Sequence, residues 1–238
     1  MAKLKLISRH IPWSLAAKSL GLACAWAFLS FPLFLAVAAF LYCVPLFDAR
    51  RFRFLFLVML GIAWFVPANF LSFVLLAALF FILCGIRYLL FVDRVYAYEL
   101  LVFVFCIALS FIFFSHMDRI EGDVMLGAAI LAFVLFKLFQ GFFAYAHASG
   151  VVQSGHERAA LIFPALLSFI LFELALALLF LPIHIFSQTA FLFLAAVSGI
   201  DMALDYVRGV RDERRVRIAL SIFLSAAVLI LLSNQWGL

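Results

Sequence analysis

The stretch VMLGAAILAFVLFKLFQGFFAYAHASGVVQSGHERAALIFPALLSFILFELALALLFLP, from Val124 to Pro182, decides how the rest of the chain is read. Two apolar runs flank a short polar connection, and each is long enough to cross a bilayer at ~1.5 Å of rise per residue. The first run carries Lys137 and Gln140, and the second carries Glu173. An ionisable side chain in such a run costs several kcal/mol unless it is paired or hydrated, so these positions are where function is sought first.

Composition extends that reading to the whole chain. Hydrophobic residues make up 69% and charged residues 12%, against ~25% charged in soluble domains, and the mean hydropathy is +1.27. This is the composition of an integral membrane protein. Spans of about 20 residues consume nearly all of the 238 residues, which predicts a single transmembrane helical domain over 1–238 with no soluble domain. The net charge of +5 sits in short basic clusters beside apolar runs, where it sets orientation and meets anionic headgroups. Nucleic acid is therefore not an expected partner; the lipid bilayer is. Cys24, Cys43, Cys84 and Cys106 are isolated within apolar runs and form no C-x-x-C pair, so they read as small hydrophobes. The 32 phenylalanines read as packing or lipid-facing bulk.

Outward from the opening stretch, further spans are expected at about Tyr96 to Ser115, Val124 to Ala146, Ala159 to Leu181, Ser187 to Tyr206 and Val216 to Leu232. Upstream, Trp13 to Phe47 and Phe54 to Ile86 are each longer than one span needs. Turn signals at Ser30-Phe31-Pro32 and at Val66-Pro67-Ala68-Asn69 divide them into two hairpins of short helices, because Pro opposes helix continuation and Asn favours turns. The two stretches also resemble each other: Ala25-Trp26 precedes Phe28-Leu29-Ser30-Phe31, and Ala63-Trp64 precedes Phe70-Leu71-Ser72-Phe73. An internal repeat of this kind favours the paired hairpins. The expected fold is all-α and polytopic, with about nine transmembrane helices, or about eight if Trp13 to Phe47 holds a single span.

Charge orients the spans. Arg50-Arg51-Arg53, Arg87 with Arg94, and Arg208 to Arg217 are basic, while Asp118, Glu121 and Asp123 make the segment before Val124 acidic. The positive-inside rule then places the N-terminus in the cytoplasm and the C-terminus outside, in a bacterial or archaeal cytoplasmic membrane. Met1 to Pro12 is expected to be retained, since the apolar stretch after it is too long for a signal-peptide core.

Few groups are left to carry chemistry. Lys137 and Glu173 fall at comparable depths on adjacent antiparallel spans, so an ion pair between them is expected, with Asp201 as a second partner for Lys137. Lys137, Gln140, Glu173 and Asp201 form the expected intramembrane polar site. Asp205, Arg208 and Arg211 form an expected polar cluster at the cytoplasmic face, where Asp201, Asp205 and Arg208 share one helix face through spacings of four and three. The segment Gly199-Ile200-Asp201-Met202-Ala203-Leu204-Asp205 has the spacing G-x-D-x-x-x-D. It resembles the end of the signature of the CDP-alcohol phosphotransferases, whose carboxylates hold a divalent metal. The upstream half of that signature, a D-x-x-D-G-x-x-A-R run, is absent here, and the metal role is not carried over. His147 to Arg158 reads as a polar connection, and His116 with the acidic residues after it reads as a solvated one. No metal and no cofactor is expected, and no Ser or Cys has the flanking residues of a hydrolase.

Three functions fit these features. First comes a non-enzymatic membrane subunit or scaffold that packs against partner helices or copies of itself. Second comes a transporter of a small solute or proton using Lys137, Gln140, Glu173 and Asp201. Third comes a lipid-headgroup enzyme using Asp201, Asp205 and the basic cluster after them.

Overall fold

The structure is a computed structural model that describes residues 13–43, 52–66, 70–87, 94–117, 124–153, 155–210 and 213–233. All regular structure among them is α-helical. In chain order the helices are α1 (Trp13–Phe28), α2 (Phe31–Cys43), α3 (Arg53–Phe65), α4 (Phe70–Arg87), α5 (Arg94–Met117), α6 (Val124–Ala148), α7 (Glu157–Leu179), α8 (Ile185–Val207) and α9 (Glu213–Ser233). Four of these, α5 to α8, are long and apolar enough to cross a membrane. α2 and α3, at 13 residues each, extend only ~20 Å against a hydrocarbon core of ~30 Å. Two compact units are formed, Met1–Leu101 and Val102–Leu238, with the boundary inside α5.

In the first unit the chain breaks at Leu29-Ser30, and α3 ends at its C-cap Val66; the Pro67-Ala68-Asn69 part of the expected turn lies outside the described residues. The break after α1 falls beside Pro32, in the first turn of α2, where its missing N–H has no helical partner to lose. α1 packs on α2 and on α4, and α3 packs on α4. α2 runs antiparallel to α3, because Phe31 at the start of α2 meets Trp64 at the end of α3 (ring centroids 4.3 Å apart). At the opposite ends, Tyr42 stacks on Phe56 at 4.1 Å. The two Ala-Trp pairs noted in the sequence are structurally linked: the Trp26 indole Nε1 donates to the Ala63 carbonyl at 3.0 Å. That bond satisfies an indole N–H that apolar surroundings would otherwise leave without an acceptor. Phe52, just before α3, lies 5.8 Å from Tyr98 in the first turns of α5.

In the second unit α6 packs along α7, α7 along α8, and α8 along α9. α7 and α8 approach closely at Gly199, where an added Cβ would lie 2.6 Å from Leu167 Cδ2; small residues permit such backbone proximity where lipid supplies no hydrophobic drive. Phe139, Phe142 and Phe143 of α6 are fully buried, and Phe143 stacks on Phe163 of α7, centroids 6.3 Å apart. α5 meets α8 through Phe103 and Phe193, and through Phe111 and Phe186. α6 and α8 end alike. Gly150 and Gly209 take φ values of +74° and +72°, and each closes a Schellman turn in which paired backbone N–H groups bond back to the last helical carbonyls. Between α6 and α7, the backbone N–H of Gln153 donates to the Val207 carbonyl at 2.9 Å. The connection read as a plain polar loop is thereby docked on the end of α8.

Buried polar groups are mostly tied off inside the helices. The hydroxyls of Ser19, Ser110 and Ser168 donate to carbonyls of their own helices, Leu15, Cys106 and Ala165, as Ser does in lipid-embedded helices. The Gln188 amide donates to the Leu178 carbonyl at 2.8 Å, satisfying one of the carbonyls left over at the end of α7. The Thr189 hydroxyl is buried with no hydrogen-bond partner among the described residues.

Candidate functional site

The buried positions of α6 are Ala128, Leu131, Leu135, Leu138, Phe139, Phe142, Phe143 and Ala146. At ~3.6 residues per turn, Lys137 falls nearly opposite the centre of that set. It shares the outward face with exposed Leu126, Ile130, Phe133, Gln140 and Ala144. The same arithmetic applied to α7, whose buried set includes Pro164, Leu167, Leu171 and Ala175, puts Glu173 nearly opposite the core. Its neighbours there are exposed Ile162, Leu166, Phe169, Ile170 and Ala177.

The expected ion pair between Lys137 and Glu173 is therefore not formed. Adjacent antiparallel helices meet through their buried faces, and both charges point away from that contact. Instead, Lys137 Nζ donates to Gln140 Oε1 at 3.0 Å, one turn along the same helix. The ammonium also lies 5.3 Å from the Phe136 ring centroid and 6.0 Å from that of Phe133, within reach of a cation–π attraction. The Glu173 carboxylate is exposed and takes no hydrogen bond or ion pair among the described residues. Of the four residues of the expected intramembrane site, the structure shows Lys137 and Gln140 in direct contact.

Depth follows from the stacked Phe143 and Phe163, which stand level with each other. Lys137 is then ~9 Å and Glu173 ~15 Å further from the end of the bundle that carries the 149–156 connection. Both lie well inside helices of 25 and 23 residues, where a charge facing hydrocarbon costs ~2.5–3.5 kcal/mol on insertion scales.

At the other expected cluster, Asp201 and Arg208 are exposed and Asp205 is half-buried. Asp205 and Arg208 form no ion pair with each other. Arg211 lies outside the described residues, as do Arg50, Arg51 and the acidic segment Asp118 to Asp123. Among the described residues no group of three His, Cys, Asp or Glu side chains could hold a metal ion. Near this end of the bundle, rings of His156 and Tyr206 meet at 5.3 Å, and those of Phe163 and Tyr206 at 5.4 Å, while His156 Nδ1 is buried with no hydrogen-bond partner among the described residues.

Sequence reasoning passed over Glu99 and Thr189, and read His156 as part of a polar connection. Glu99 is buried on α5. Thr189 and His156 carried no local signal, since their burial comes from tertiary packing alone. No protein family, curated protein or solved structure matches the chain.

Proposed function

We propose that this chain is a non-enzymatic integral membrane subunit, and that in the assembled state helices of another chain cover the outward faces of α6 and α7. One observation carries the reading: Glu173 lies well inside α7, exposed and without a partner among the described residues, on the side of the helix turned away from its own core. A carboxylate there is costly in hydrocarbon and is relieved by a donor from a neighbouring helix. The Lys137–Gln140 pair on the outward face of α6 presents the same problem with the opposite sign.

The interior supports the same conclusion. A polar solute needs a lined path. In the second unit the buried polar side chains are Ser110, Ser168, Gln188 and Thr189, and three of them are bonded to helix carbonyls. Charges that face outward line no path between these helices. For a lipid-headgroup enzyme, Asp201 and Asp205 lack a third ligand among the described residues.

The topology that accompanies this reading has nine crossings, a cytoplasmic N-terminus and a C-terminus outside. Its support is the alternation of the basic clusters. The short α1–α2 and α3–α4 hairpins cross by locally thinning the bilayer. Extraction of the tagged protein in a gentle detergent at native expression, followed by mass determination of the intact particle, tests the functional reading. A particle of fixed stoichiometry containing more than one chain is expected. A solitary chain that moves protons or a solute when reconstituted would replace this reading with transport.

A further inference from the structure

The helices of the first unit are short for a bilayer. α1, α2, α3 and α4 have 16, 13, 13 and 18 residues, which is ~20–27 Å along their axes, against a hydrocarbon core of ~30 Å. Charge marks the inner ends of both hairpins. No charged residue lies between Lys18 and Asp48, or between Arg53 and Arg87. The turned ends, at Leu29-Ser30 and at Val66, are therefore uncharged. Around them Phe28 and Phe70 are 84% and 82% exposed, and Trp64 is 60% exposed.

Two opposing requirements set the depth of these tips. Aromatic side chains so exposed are costly in bulk water and settle at the bilayer boundary. The backbone of the tips cannot lie in hydrocarbon either, because helix ends leave N–H and C=O groups that need polar partners. The Ala63 carbonyl has such a partner inside the unit, since Trp26 Nε1 donates to it at 3.0 Å. That bond replaces the N–H that residue 67, a proline, lacks. Headgroups and water serve the rest of the tips. The outer headgroups consequently come down to a level ~20–27 Å from the inner ends, and the bilayer is pinched around the first unit.

We propose that this pinch gives the chain an activity of its own: phospholipids exchange between the two leaflets beside α1 to α4, down their own gradient. The barrier to exchange is the cost of carrying a charged headgroup through hydrocarbon, and thinning with its water defects lowers that cost. The substrate class is phospholipid at large, because the uncharged tips select no headgroup. This inference rests on the short-hairpin topology given above and is independent of what covers α6 and α7.

The test reconstitutes the full chain into vesicles carrying a trace of dye-labelled phosphatidylcholine and follows bleaching of the dye by external dithionite. The control is a Lys-flanked Leu/Ala helix of full bilayer length at equal mass. In dioleoyl phosphatidylcholine the chain should speed exchange over that control by at least about tenfold, the change that relief of ~1.4 kcal/mol gives. In dimyristoleoyl phosphatidylcholine the core is thinner and matches the short helices, so the acceleration should vanish. No acceleration in the thicker bilayer, or the same acceleration in both, would overturn the proposal. Labelling separates that failure from a failure of the topology. With the native cysteines replaced, Ser30→Cys should react with a membrane-impermeant maleimide added outside spheroplasts of expressing cells. A tip that reacts in a chain that moves no lipid overturns the exchange alone; a tip that does not react overturns the hairpin topology and the exchange with it.

Discussion

Replacing Gly209 by Ala tests how the 149–156 connection is held. Gly209 has φ +72°, a conformation that costs a residue with a Cβ roughly 1–2 kcal/mol. Its added methyl would also run into the Gln153 side-chain amide. Among the described residues the same segment is anchored to α8 by a backbone bond from Gln153 N–H to the Val207 carbonyl at 2.9 Å, worth about 0.5–1.5 kcal/mol. Strain and anchorage are thus of similar size, and the variant relieves the first by giving up the second. A shift of ~1–2 kcal/mol moves the docked–undocked equilibrium by about 5- to 30-fold. Hydrogen exchange followed on peptides covering 149–156 reads that shift directly: exchange should accelerate by this factor in Gly209→Ala and by less in Gly209→Asn, because Asn tolerates the left-handed region. Gly61→Ala provides the contrast, since that Cβ meets nothing within 4 Å and helical Ala is favoured by ~0.5–1 kcal/mol. Unchanged exchange over 149–156 in Gly209→Ala would refute the docking argument.

Trp26→Phe deletes the indole donor to Ala63 while keeping most of the ring, and should lower the thermal midpoint by an amount equivalent to ~0.5–1.5 kcal/mol. Gly199→Leu should cost about 1–3 kcal/mol by overpacking against Leu167, seen as earlier unfolding in a denaturant titration. Thr189→Val removes a buried hydroxyl that has no partner among the described residues; it should leave the protein as stable or up to ~1 kcal/mol more stable, and a clear loss in the same titration would mean that the hydroxyl is bonded.

The first helix break was legible because local chemistry imposes it: Pro32 sits in the first turn of α2, just past the end of α1. The Schellman ends of α6 and α8 are signalled by Gly150 and Gly209 in the same local way. What a helix faces was another matter. In α6 and α7 nearly every position is apolar, so no amphipathic stripe told which side meets a neighbour. Lys137 and Glu173 were expected to face each other because their depths agree. Depth is fixed by counting residues along the helix, whereas direction is fixed by the positions of Leu131, Leu135, Leu167 and Leu171, whose partners lie on other helices. The number of crossings fell between these cases: apolar length was readable, but the hairpin turns cut α2 and α3 to 13 residues each.

The central claim is that protein, and not lipid, covers the outward charged faces of α6 and α7. Spin labels at Ala144 and Ala177, which flank the charges and leave them intact, test it in native membranes once exposed Cys24 and Cys43 and the buried cysteines have been replaced. Low accessibility at both sites, to lipid-soluble oxygen and to a water-soluble relaxant alike, is the result the account predicts. High oxygen accessibility at both sites would mean that the faces lie against lipid and would contradict it.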